Sequence, residues 1–385
     1  MDRVLFVWRF FMGDMTLTGI PKLGFGLMRL PKLEDGTIDV EQVKTMVDLF
    51  LGAGQKYFDT AYVYDGGESE KAAKKALVDR YPRESYYLTT KLNASLPDLT
   101  EEKAKQQFYT SLERTGAGYF DFYLLHALQQ NNYKKYEEFH LWEFVKELKA
   151  KGLIRHYGFS FHSSPELLEQ LLTEHPDVDL IQLQVNYADL DNPDVQARKN
   201  IEVAVKHGVP YTIMEPVKGG GLAELSPEAE AIFKKVHPDS SMASWAVRFA
   251  ASQANVITVL SGMSNIEQMK DNLSYMEDFH PLNEEELEAV EQVRTVLAKI
   301  ESVPCTACHY CTDGCPVQMQ IPDIFKAMNM RLQNRRTYAQ ALEAYNKATQ
   351  QAKASECIQC GQCEGACPQS IPIIERLRQA AEMFE

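Results

Sequence analysis

Val40-Glu-Gln-Val-Lys-Thr-Met-Val-Asp-Leu-Phe-Leu-Gly52-Ala-Gly54-Gln-Lys56-Tyr-Phe-Asp-Thr-Ala61 is the stretch that decides how the fold is read. Val40–Leu51 has the pattern of an amphipathic helix and closes on Gly52-Ala-Gly54, glycines suited to the left-handed turn that ends helices. Lys56–Ala61 then forms a short apolar run of strand type. A helix handing over to such a strand is the repeating unit of a parallel sheet.

Working outward, the same alternation recurs. The strand candidates are Leu23–Met28, Lys56–Ala61, Tyr86–Leu92, Asp121–His126, Arg155–Ser160, Leu180–Asn186, Pro210–Glu215 and Val256–Ser261. Between them, Tyr136–Ala150 closes on Gly152, Pro193–Lys206 closes on Gly208, and Ser163-Ser164-Pro165-Glu166 has the caps and the proline of a helix start. Eight candidates spread over about 250 residues predict an α/β fold of the closed (β/α)8 TIM-barrel kind, spanning residues 17–282. Residues 283–302 read as a linking helix capped by Asn283, and residues 303–385 as a small, mainly α-helical second domain with helices Ile321–Arg331 and Tyr338–Lys353.

Composition sets the limits. The chain has 385 residues, 45% apolar and 24% charged, enough to bury a sizeable core and far from the signature of disorder. The net charge of −14 argues against a nucleic-acid binder or a polybasic membrane binder, and does not exclude an enzyme that carries a local basic site on an acidic body. No apolar run approaches the roughly 18–20 residues needed to cross a bilayer, so a soluble protein is expected, and the clustering of all cysteines outside the large domain points to a reducing cytoplasm. Residues 1–16 read as an N-terminal leader interrupted by Arg9, with Met12 or Met15 as an alternative start.

All eight cysteines fall between Cys305 and Cys367. They form two runs of identical spacing, Cys305-x2-Cys308-x2-Cys311-x3-Cys315-Pro316 and Cys357-x2-Cys360-x2-Cys363-x3-Cys367-Pro368. This is the bacterial ferredoxin run, in which three thiolates hold three corners of a [4Fe-4S] core and the fourth reaches the other cluster. The spacing therefore predicts two clusters, one on Cys305, Cys308, Cys311 and Cys367, the other on Cys357, Cys360, Cys363 and Cys315. Two structural zinc sites are the alternative, but zinc takes ligands in pairs, and a disulfide framework would not avoid the first 304 residues. His309 is read as a loop residue, since every corner already has a thiolate. The 41 residues separating the runs exceed what a compact β-hairpin ferredoxin uses, which favours an all-helical module.

Chemistry in such a barrel belongs at the C-terminal ends of the strands. Read in order, those ends carry Asp59, Tyr62 and Tyr64, then Lys91, then His126. Lys and Asp are almost never fully buried unpaired, so their placement at the ends of apolar strands calls for a partner.

With these residues the barrel resembles the aldo-keto reductases. The resemblance implies a catalytic tetrad at Asp59, Tyr64, Lys91 and His126, with Tyr62 as a wall residue. It also implies a bound NADP or NAD. A carbonyl that accepts hydride develops negative charge on oxygen, which a phenol can meet with a proton; a neighbouring ammonium eases that loss by stabilising the phenolate. The implied nucleotide contacts are Met28, Ser160, Gln184 for the carboxamide, Met214 where many members place a stacking Tyr, Gly219 in a loop over the pyrophosphate, and Gly262, Asn265 and Asn272 at the adenine end. Two positions depart from the family pattern: Phe161 replaces an Asn, and Gln268 replaces the Arg that pairs with a 2′-phosphate. The second departure leaves the choice between NAD and NADP open.

The resulting expectation is an NAD(P)H-dependent oxidoreductase that reduces an aldehyde or ketone, with Tyr64 as general acid, fused to a two-cluster electron-transfer module with a possible redox partner protein. Hydride moves two electrons and each cluster one, and no flavin signature stands between them. Two alternatives remain: a reductase whose clusters are structural or redox-sensing, and a noncatalytic nicotinamide-sensing electron carrier. Trp142 and Phe161 are the candidate pocket walls.

Overall fold

The computed structural model describes residues 17, 19–332 and 338–385. The leader expected at residues 1–16 lies outside them. Eight parallel strands close into a barrel in sequence order: β1 (Leu23–Gly26), β2 (Tyr57–Asp59), β3 (Tyr87–Leu92), β4 (Phe120–Leu128), β5 (Ile154–Phe161), β6 (Leu180–Gln184), β7 (Tyr211–Met214) and β8 (Val256–Ser261). β8 returns to β1 in the register Leu23↔Val259, which completes the ring. The strands are largely buried on both sides, as parallel strands under a helical coat must be, with Arg155 at the start of β5 as an exposed exception. Within β5, Gly158 is fixed by packing, because a Cβ there would lie 1.8 Å from the Leu180 carbonyl oxygen of β6.

The helical coat follows local capping rules. Asp39 accepts from Gln42 N at 3.0 Å to start Val40–Gly52, and Ser164 caps Pro165–Glu174. Two helices depart from expectation. The stretch expected as Tyr136–Ala150 divides into Tyr133–Glu138 and Leu141–Ala150, because His140 takes a left-handed φ of 47°. The helix expected from Pro193 begins at Ala197, after Gln196 at φ 48°. A periodic apolar pattern does not register a single left-handed residue.

Glu284–Leu297, expected as a linking helix, instead packs into the barrel's own hydrophobic core through Ala289, Val290 and Val293. Its buried Glu286 accepts from Arg248 Nη1 at 2.6 Å and faces His237 Nε2 at 2.9 Å. After residues 298–302 the chain enters a helical module built on Tyr310–Asp313, Ile321–Leu332, Tyr338–Ala348, Gln362–Ala366 and Ile373–Phe384. This module has a separate core around Ile324, Phe325, Met328, Ala341, Tyr345 and Leu377. Among the described residues, no helix is long and apolar enough to cross a membrane.

Candidate active site

The C-terminal ends of β2, β3 and β4 bring Asp59, Lys91 and His126 together, and the turn after β2 adds Tyr64. Lys91 Nζ is the hub. It donates to Asp59 Oδ1 at 2.5 Å, to the Thr60 carbonyl at 2.8 Å and to Tyr64 OH at 3.3 Å. Lys91 is fully buried and Asp59 is 3% exposed, so desolvation dominates both: it lowers the lysine from its ordinary value and raises the aspartate, with their mutual attraction opposing each shift. Buried Glu70 sits behind this pair, held by Thr90 Oγ1 at 2.7 Å and by Arg114 Nη1 at 3.1 Å. Arg114 also lies over the Tyr62 ring at 4.4 Å and donates to the Tyr62 carbonyl, which pins Tyr62 beside the site.

The Tyr64 ring meets the His126 ring edge-on at 5.7 Å. Burial and then the negative field of Asp59 push the Tyr64 hydroxyl well above the ordinary 10, and Arg29 pulls the other way. Burial thus outweighs the cations around the hydroxyl, while Lys91 Nζ stays within hydrogen-bond reach of it at 3.3 Å. Burial followed by the nearby Lys91 charge holds His126 well below 6.5, so its imidazole is neutral. Ala127, next in β4, takes φ 57° and donates its N–H to Ser160 Oγ at 2.7 Å, fixing the irregular register between Leu125 and Leu128.

The other expected nucleotide contacts are distributed around the same mouth. Met28 lies in the turn after β1 and Met214 at the end of β7, both partly exposed. Asn265 caps the helix Ile266–Met276 by accepting from Gln268 N at 2.8 Å. Asn272 accepts from Ser261 Oγ at 2.7 Å, and Gly262 lies beside Arg29. Gln184 Nε2 donates to Gln369 Oε1 at 2.9 Å and Gln369 Nε2 returns a bond to Gln184 Oε1 at 2.8 Å. Trp142, expected as a pocket wall, is instead in the helical coat, stacked on His175 at 3.7 Å and edge-on to Phe159.

The cysteines line two small cavities. Cys305, Cys308, Cys311 and Cys367 surround the first, and Cys315, Cys357, Cys360 and Cys363 the second. The rest of each lining is largely apolar, with Ile321, Phe325 and Ile373 in one and Met319, Ile374 and Leu377 in the other. Burial pushes Cys305 up to about 11, with Arg29 pulling the other way, and Cys308 up to about 12, so the thiolate form is favoured only when a bound metal adds positive charge. Backbone N–H groups of Gln369, Ser370 and Ile371 turn toward Cys367, and Ala307 N donates to Cys305 Sγ at 3.4 Å. Four sulfurs around a dry cavity, with amides directed at them, fit an iron–sulfur core.

Sequence reading missed the residues by which the module covers the barrel mouth. Tyr310, inside the first cysteine run, places its OH 3.4 Å from His126 Nε2. Arg29 Nη2 donates to the Thr306 carbonyl at 2.6 Å and to Glu215 Oε1 at 2.8 Å, and Glu215 Oε2 accepts from Gly219 N at 2.6 Å. Asn131 Nδ2 donates to the Gly365 carbonyl at 3.3 Å. The one available signal was Glu215, an acid following Met214 at the end of β7.

Comparison with known proteins follows the same division. Residues 22–295 match the model of the Aldo/keto reductase family, and residues 304–372 match a 4Fe-4S dicluster domain. The uncharacterized oxidoreductase YqkF of Bacillus subtilis aligns over 303 residues at 25% identity, covering 71% of this chain and 92% of that protein. An aldo-keto reductase of Mycobacterium avium aligns over 272 residues at 29% identity, with 71% and 85% coverage. Among solved structures, the holo form of aldo-keto reductase AKR11C1 from Bacillus halodurans superposes with a TM-score of 0.57 at 25% identity, covering 71% of this chain and 92% of that one.

Proposed function

The chain belongs to the aldo/keto reductase family, as an oxidoreductase with a 4Fe-4S dicluster domain at its C-terminal end, and on that premise we propose that it reduces an aldehyde or ketone with NADPH or NADH. The observation that carries this reading is the Lys91 ammonium shared between Asp59 Oδ1, the Thr60 carbonyl and Tyr64 OH. A bound reduced nicotinamide supplies hydride to the carbonyl carbon. Tyr64 OH gives its proton to the carbonyl oxygen as negative charge appears there, and solvent restores the proton afterwards. Its raised value keeps the phenol protonated at neutral pH. Lys91 stabilises the phenolate left behind, Asp59 holds Lys91, and neutral His126 directs an imidazole edge at the substrate oxygen. Gln184 is the carboxamide contact; Met28, Ser160, Met214, Gly219, Gly262, Asn265 and Asn272 complete the nucleotide site. Gln268 brings no guanidinium to the adenine end, so NAD and NADP are both probes.

In the same reading Cys305, Cys308, Cys311 and Cys367 hold one cluster, Cys315, Cys357, Cys360 and Cys363 hold the other, and a partner protein exchanges electrons with them singly. The test is anaerobic. Cluster-replete protein is mixed with NADH or NADPH and a panel of aldehydes and ketones while the whole visible spectrum is recorded. Carbonyl-dependent loss of nicotinamide absorbance that disappears in Tyr64→Phe, with nucleotide affinity retained, supports the reading. Undiminished turnover in Tyr64→Phe contradicts it.

A further inference from the structure

The residue assigned above to the nicotinamide carboxamide already has a partner within the chain. Gln184 and Gln369 face each other edge to edge, each donating one N–H and accepting one, at 2.9 and 2.8 Å. A primary carboxamide offers one acceptor and two donors on a planar edge, so the Gln369 side chain presents to Gln184 the same group that a nicotinamide would. The other Gln184 donor faces Asp189 Oδ2 at 3.4 Å, and the residue is 6% exposed. A second carboxamide has no donor left to meet. The loop Val217–Gly221 also touches the module: a Cβ on Gly219 would fall 2.4 Å from the Thr306 carbonyl oxygen. Resting on the nucleotide reading above, we propose that the cluster domain and the dinucleotide compete for the barrel mouth, Gln369 occupying the carboxamide position on Gln184, so that nucleotide binds only when the domain leaves.

The construction of the interface allows that movement. The barrel and the module keep separate hydrophobic cores, and four pairs hydrogen-bond between them at the mouth: Gln184 with Gln369, His126 with Tyr310, Arg29 with Thr306, Asn131 with Gly365. Polar interfaces between domains of one chain are the kind that open and close, and the single connection through residues 298–302 leaves room for a hinge. Apparent affinity for nucleotide is then the intrinsic affinity scaled by the fraction of open molecules. Such competition keeps a hydride carrier and a one-electron carrier from occupying the same mouth together.

The test uses the full, cluster-replete chain under anaerobic conditions, titrated with NADPH and with NADH by protein fluorescence. Gln369→Ala removes the internal amide, and Gln369→Asn, one methylene shorter, is a second variant; visible absorbance per chain verifies that the clusters are retained. Both variants are expected to bind nucleotide roughly 5- to 30-fold more tightly, the change that follows from losing one or two neutral hydrogen bonds of the closed form. Saturating nucleotide should also speed proteolysis within residues 298–302 of the wild-type chain. If the wild type binds nucleotide and neither variant binds more tightly, competition is overturned and the nucleotide reading stands. If wild type and both variants bind neither nucleotide, the nucleotide reading falls, and competition falls with it.

Discussion

Lys91→Met tests the buried pair on which the site is built. The substitution keeps the length and apolar stem of the side chain while deleting the charge, leaving Asp59 at 3% exposure without its cation. Breaking a buried ion pair by removing one partner costs about 3–5 kcal/mol, because the other charge stays desolvated. For a barrel of this size that lowers the midpoint of thermal unfolding by about 6–10 °C. The pH dependence has a definite sign. Burial already raises Asp59 above 3.8 against the pull of Lys91, and without Lys91 it rises further. A carboxyl whose folded value lies above its unfolded one makes the folded state bind more protons, so stability falls as pH rises from 3.8 toward the folded value. The gap between variant and wild type should therefore be smaller near pH 5 than near pH 8. Removing both charges in Asp59→Asn/Lys91→Met should recover at least about half of the loss, since a neutral pair leaves no buried charge unpaired. The assay is far-UV circular dichroism melting at matched cluster content. A Lys91→Met midpoint within about 2 °C of wild type at both pH values would refute the reasoning.

Two further outcomes follow from particular geometries. Cys367→Ser should remove the cluster at Cys305, Cys308 and Cys311, over fifty residues away in sequence, and spare the one at its own neighbours Cys357, Cys360 and Cys363; iron content near half of wild type, with Cys315→Ser losing the complementary half, is the result to seek, and complete loss in both variants would sink the cross-ligation. His126, held well below 6.5, should contribute no inflection to kcat/KM between about pH 5.5 and 8, while wild-type stability should decline on acidification below 6.5 as the unfolded chain takes up a proton the folded one refuses. A pH–rate inflection near 6.5 that vanishes in His126→Gln would contradict this assignment.

Much of the molecule was legible before any contact was known. Local pattern determined the alternation of helix and strand, because parallel strands buried on both faces are mostly apolar, as Phe120–Leu128 is apart from Asp121 and His126. Fixed cysteine spacing divided the cysteines into the same two groups of four that line the two cavities, and residue type at strand ends singled out Asp59, Lys91 and His126, which the fold brings together. Breaks such as His140 and Gln196 escaped, since a single left-handed residue leaves the surrounding periodicity intact. The membership of Glu284–Leu297 in the barrel escaped for a related reason: an amphipathic face does not say which surface it will cover.

Tertiary structure alone decided how charges cancel and what covers the mouth. Lys91 meets Asp59 because β2 pairs with β3, and burial followed by the Asp59 charge keeps Tyr64 a protonated phenol. Tyr310 meets His126 across 184 positions and Gln369 meets Gln184 across 185, each joining two bodies with separate cores. Propensity and periodicity act over a few residues, within one element. Which surface of one folded body fits another depends on shape and polar matching that exist only after both have folded, so the sequence determined the parts and their chemistry, and the packed structure determined that one part sits over the other.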